Sequence, residues 1–169
     1  MANTYTLIGS STATSGAVSY IDFTSIPGTY TDLLVKASLR INEPYVSENF
    51  YIQFNGTTTN LTYKQIIGVP NAGTVSSNSS FPGYANGSTS TSNTFGNLEI
   101  YIPNYTSTST YKSFSSDTVN ENNTSEARPA LAAGLWSSNS AITSIRLISD
   151  TGATLLQYSS AYLYGIKKS

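Results

Sequence analysis

The chain has 169 residues, 38% of them apolar and only 10% charged, with a formal net charge of −1, whereas an ordinary domain carries about a quarter charged residues. Six of its eight basic residues stand singly and the other two, Lys167 and Lys168, are adjacent, so a nucleic acid backbone finds no positive stripe to follow, and no apolar run approaches the roughly twenty residues that span a bilayer. Cys and His are both absent, which removes disulfides, thiol and imidazole catalysis and the preferred zinc ligands.

The opening stretch "MANTYTLIGSSTATSG" has neither the basic leader nor the apolar segment of a secretory signal. Together with the absence of Cys, that leads us to expect synthesis in a reducing cytoplasm. Roughly three residues in ten are Ser or Thr, well above ordinary usage, and there are 13 Tyr. Helical periodicity is nearly absent, and apolar residues recur at every second position between Gly, Pro, Asn and Asp punctuation.

"TYTLIG" and "AVSYIDF" read as the first two strands. In "TDLLVKASLRI", Leu33, Val35, Ala37 and Leu39 point one way and Leu34, Lys36, Ser38 and Arg40 the other. "NFYIQFNG" alternates Phe50, Ile52 and Phe54 with Tyr51 and Gln53, and Asn55-Gly56 supplies a tight turn. "LTYKQIIGV" sets Leu61, Tyr63, Gln65 and Ile67 on one side. Residues 70–96 are Ser, Thr, Asn and Gly without a period, and read as a long polar loop whose large apolar residues are Phe81, Tyr84 and Phe95.

"GNLEIYIPNY" turns Leu98, Ile100 and Ile102 inward, and "TYKSFSSD" is a weaker strand around Phe114. Residues 117–129 read as a polar link between strands. "PALAAGLWS" groups Leu131, Ala133 and Leu135 on one face, followed by strands in "AITSIRLIS" and "LLQYSSAYLYGIK". Because both faces of the last strand carry groups to bury, it belongs inside a sheet. The expectation is an all-β, jelly-roll-like antiparallel β-sandwich of about 8–10 strands, forming one domain over residues 1–169.

One motif suggests chemistry. "SDTGAT" around Asp150 resembles the retroviral aspartic protease motif, but only 19 residues follow Asp150, too few to build a cleft and flap. Asp150-Thr151-Gly152 between two strands also fits a turn, with Asp at its first position and Gly at its left-handed one. Glu43 and Glu48, and Asp117, Glu121 and Glu126, read as solvated loop carboxylates rather than a glycosidase pair, since the single Trp136 offers no aromatic platform. Asp117, Asn120 and Glu121 supply oxygens, yet their spacing matches no calcium loop. No glycine-rich phosphate loop occurs. We therefore expect no catalytic residue, no cofactor and no metal.

Over most of its length, with residues 70–96 unmatched, the chain resembles a family of small structural proteins of tailed bacteriophages, common in phages of cyanobacteria and other aquatic bacteria. The segments "SIPGTYTDL", "YIPNY" and "YLYGIK" carry the resemblance. It implies a virion component made in the bacterial cytoplasm: a capsid decoration or cement protein, a fibre or a tail part. As a cement protein it would bind the major capsid protein or other virion proteins as a homo-oligomer, through a surface rich in Tyr and poor in Lys and Glu. Tyr101, Tyr105, Tyr162 and Tyr164 are the candidate contact groups. The alternative is a fibre module that recognises a host surface glycan through Phe81 and Tyr84 of the 70–96 segment.

Overall fold

The computed structural model describes residues 4–15, 18–69, 72–79, 81–123 and 126–167. They form twelve strands: β1 (Tyr5–Thr12), β2 (Tyr20–Phe23), β3 (Asp32–Leu39), β4 (Ser47–Phe54), β5 (Leu61–Val69), β6 (Ala72–Ser79), β7 (Gly83–Asn86), β8 (Gly96–Pro103), β9 (Lys112–Glu121), β10 (Ala127–Trp136), β11 (Ile145–Ser149) and β12 (Ser160–Ile166). Two antiparallel sheets result. The large one runs β1-β12-β3-β8-β9-β10-β5-β6 and the small one β2-β11-β4-β7. Hairpins join β5 to β6, β8 to β9 and β9 to β10, and every other connection crosses from one sheet to the other. No helix among the described residues is long and apolar enough to cross a membrane.

The two-residue alternation builds the core. In β4 the residues Phe50, Ile52 and Phe54 are fully buried, and Ile21, Ile145 and Leu147 join them from β2 and β11. The facing sheet contributes Leu33, Val35, Leu98, Ile100, Ile102 and Leu163, all at 0–1% exposure, so the two inner faces share one continuous core. Each such side chain contributes about 1.5–3 kcal/mol by leaving water. At one end Phe54 meets Phe114 and Trp136 edge-on, with ring centroids 5.3 and 5.5 Å apart. Tyr63 meets Phe114 in the same way at 5.9 Å. Gly134 makes room for this cluster, because a Cβ there would lie 2.3 Å from the Phe114 ring. As expected, β12 lies inside its sheet, paired with β1 on one side and β3 on the other.

Two expectations need correction. The 70–96 segment is largely strand: it contains β6, paired with β5, and β7, whose four residues are all buried against β4. Residues 117–129 are also mostly strand, since β9 runs to Glu121 and β10 starts at Ala127. For β7 and the distal part of β9 the reason is the same. The inward positions of β9 beyond Phe114 are Ser116, Thr118 and Asn120, buried although polar. The β7 backbone lies directly on them, so close that a Cβ at Gly83 would fall 2.4 Å from Thr118 Cγ2. The layer between β7 and β9 is therefore polar on polar, and hydropathy cannot reveal it.

Candidate functional site

The Asp150-Thr151-Gly152 segment is a turn. Gly152 has φ +76°, and its N–H donates to the Ser149 carbonyl at 3.4 Å. Asp150 is exposed and its carboxylate accepts from Asn49 Nδ2 at 3.2 Å. Beside it, Thr151 Oγ1 donates to Glu43 Oε1 at 2.7 Å. Glu48 is 6% exposed. Its burial, then its Glu43 and Asp150 neighbours, push its pKa up, and the Asn49 N–H partly offsets this. These acids stand around the turn that leaves β11 for the other sheet, with Asp150 open to water.

In the other acidic segment, strand alternation separates the oxygens. Asp117 and Glu121 face solvent, whereas Asn120 faces inward with 0% exposure. Glu126 pairs with Arg128 at 3.1 Å. No group of three His, Cys, Asp or Glu among the described residues could hold a metal ion.

The six candidate contact residues divide evenly. Tyr105 is a core residue at 0% exposure, and its hydroxyl donates to the Pro27 carbonyl. Tyr84 is 8% exposed and meets Phe81 edge-on at 5.3 Å, and Arg128 sits over the Tyr84 ring. Phe81 packs on the buried Ile67–Tyr84–Ala130 cluster. Tyr105 and Tyr84 are therefore buried within the molecule rather than presented to a partner, and Phe81 is partly buried against the same cluster. Nor do rings alone hold the remaining 87–95 loop. The Arg40 guanidinium donates to the carbonyls of Ser88, Ser90, Thr91 and Thr94 at 2.7–3.1 Å, a role that its alternation with Leu39 did not disclose.

Tyr101, Tyr162 and Tyr164 all lie on the outer face of the large sheet, where the strand register sets the arrangement. One row across neighbouring strands is Leu7, Tyr164, Leu34 and Tyr101. The next is Ser10, Tyr162, Lys36, Glu99, Asp117, Leu131 and Ile66. Two halves differ in chemistry.

On β1, β12, β3 and β8 the face is tyrosine-rich. Lys36 and Glu99 are ion-paired there at 2.7 Å, and Tyr101 donates to Asp32 Oδ2 at 2.9 Å. The Glu99 hydrogen bond raises the Lys36 pKa, and the Asp32 bond raises that of Tyr101. On β9, β10 and β5 three large aliphatic side chains are exposed, Val119, Leu131 and Ile66 at 41%, 56% and 61%; Leu131 and Ile66 are direct cross-strand partners, with Asp117 opposite Leu131 and Lys64 opposite Ala133 on the same face. The face that groups Leu131 with Ala133 and Leu135 is thus the outer one. Alternation finds such a face, but it cannot say which side meets water when both sides are apolar.

No family model matches this sequence, and neither a curated protein nor a solved structure matches it.

Proposed function

We propose that this chain is a non-enzymatic structural protein of a tailed-bacteriophage virion, in the role of a capsid decoration or cement protein that binds the major capsid protein as a symmetric homo-oligomer. The observation that carries a binding role is the aliphatic half of the outer sheet face. Three large apolar side chains stand exposed there on adjacent strands, beside Asp117 and Lys64, and exposed apolar surface rimmed by polar groups marks interaction sites. Burying that face across neighbouring capsid subunits would tie them together against internal pressure.

The virion setting rests on the sequence resemblance. The strand order supports the jelly-roll reading. A jelly roll alternates the chain between two four-stranded sheets. Here β2-β11-β4-β7 faces β3-β8 and β5-β6, with the β9–β10 hairpin inserted between those pairs and β12 and β1 added beyond β3.

The test is the location and copy number of the protein in purified particles, followed by rebinding to stripped heads. Hundreds of copies on the head, with rebinding abolished by Leu131→Asp or Ile66→Asp, support the reading. Absence from particles, or a few copies at the tail, overturns it.

A further inference from the structure

On the other half of the same face, Tyr5, Leu34, Lys36, Glu99 and Tyr164 line a cleft of about 330 Å³. We propose that this cleft is a binding site for a neutral sugar, a pyranose unit stacked between the tyrosine rings and hydrogen-bonded by the Lys36–Glu99 pair. The site is separate from the aliphatic docking face, and it stands whether or not the chain belongs to a virion.

Leu34 is the floor. It occupies an outward position of β3 and yet is only 6% exposed, because its cross-strand neighbours Tyr164 and Tyr101 flank it. Tyr5 keeps 57% of its surface in water and forms part of the wall. Tyr101, beside Leu34 but outside the lining, is held by its bond to Asp32. The volume falls at the lower end of the 300–1,000 Å³ found for small-molecule sites, which fits one or two sugar rings.

The chemistry selects the ligand. A tyrosine ring presents an apolar, slightly negative face and a polar tip. A pyranose complements it, with a face of C–H groups and a rim of hydroxyls. Lys36 and Glu99 stay 55% and 46% exposed in their side chains although they are paired. An ammonium group has three donors and a carboxylate has several acceptor sites, so each keeps capacity after their mutual bond. Sugar hydroxyls donate and accept at once and can use both.

The pair is neutral as a unit. An anionic ligand would meet Glu99 and a cationic one Lys36, each as a like charge at close range, so an uncharged ligand is favoured. Tyr5 and Tyr164 line the same cleft as Lys36 and Glu99. That places ring tips, donor and acceptor in one cleft.

The experiment is saturation-transfer NMR of the purified chain with methyl glycosides of glucose, galactose, mannose and N-acetylglucosamine, with sialic acid as a charged control. Transfer to at least one neutral sugar at about 10 mM, an ordinary concentration for a weak site, is the expected result. Tyr164→Ala and Tyr5→Ala should each weaken that binding about tenfold or more, whereas Leu131→Asp should leave it unchanged, and circular dichroism should show all three variants folded. No transfer from any neutral sugar, transfer that survives the Tyr5→Ala/Tyr164→Ala double variant, or a preference for sialic acid would each overturn the proposal. Because the assay uses free protein, its failure is distinct from failure of the particle experiment.

Discussion

Arg40 and Lys112 stand at opposite ends of the sandwich, one just past the last residue of β3 and the other opening β9, which runs parallel to β3 across the intervening β8. Both are buried, at 7% and 1% exposure, and burial lowers the pKa of each. Their side-chain hydrogen bonds go to loop carbonyls rather than to carboxylates. Arg40 reaches four, all in the 87–95 loop. Lys112 reaches two, on Ser138 and Ser140 at 3.1 and 2.6 Å, and lies 5.5 Å from the centre of the Trp136 ring.

The difference follows from shape. A planar guanidinium has five donors in a fixed fork, whereas an ammonium is a compact point charge. In a chain with so few charges, a cation spent on backbone carbonyls orders a loop that has little apolar content of its own. The Arg40 end depends on this fork, and the Lys112 end depends more on the Phe54–Phe114–Trp136 packing beside it.

The largest effect should come from Arg40→Met. It strips four carbonyls of a charged donor and should cost on the order of 3 kcal/mol, read by urea unfolding, with new protease cleavage confined to residues 87–95. Arg40→Lys keeps the charge but cannot span all four carbonyls, so it should recover less than half of the loss. Wild-type stability in Arg40→Lys would show that charge, not the fork, holds that end.

Lys112→Met should be milder, about 1 kcal/mol at neutral pH, since the aliphatic stem and the Trp136 contact remain. Its cost should depend on pH. The folded-state pKa of Lys112 lies below the ordinary value of about 10.5. Between the two values the unfolded chain holds more protons, so wild-type stability rises with pH there relative to Lys112→Met. Urea midpoints of both proteins through that window test the sign, and a difference that shrinks with rising pH would contradict the burial of this ammonium.

The smallest change should be Tyr63→Phe, in the aromatic cluster at the same end. The Tyr63 hydroxyl is buried and has no hydrogen-bond partner among the described residues, so removing it should be neutral or stabilising by up to about 1 kcal/mol. Burial raises the Tyr63 pKa strongly. A raised folded-state value contributes stability below the unfolded pKa of about 10 and loses it as pH climbs further. Tyr63→Phe should therefore soften the alkaline loss of stability, and identical alkaline melting curves would place the hydroxyl in water.

Period-two reading succeeded where one face meets the apolar core. In β4, β5 and β8 the residues assigned to one side are those turned to the core, as they are in β3, where Leu34 of the other side is covered as well. It failed for β7 and the distal part of β9. There the buried positions are Thr118, Asn120 and Asn86, and Asn86 Nδ2 donates to the Thr94 hydroxyl and the Glu121 carbonyl. Tyr105, Phe81 and Tyr84 sit just past strand ends or in a four-residue strand, where parity has little reach and only the folded chain decides. The cleft was illegible for a related reason: Tyr5 and Leu34 are separated by the whole β2 excursion and become near neighbours only because β12 bridges β1 and β3.

That bridging strand governs how the molecule can be assembled. β1 has no partner other than β12, and β3 gains its second partner only from residues 160–166. A ribosome delivers those residues after every other strand, seconds behind β1 at ordinary rates of synthesis. Until then the large sheet lacks its closing rung, and the nascent chain carries two open edges that could pair with a neighbour. Completion of the large sheet accordingly waits on long-range pairing, which is intrinsically slow, and the strand that delays it ties β1 to β3 once it is in place.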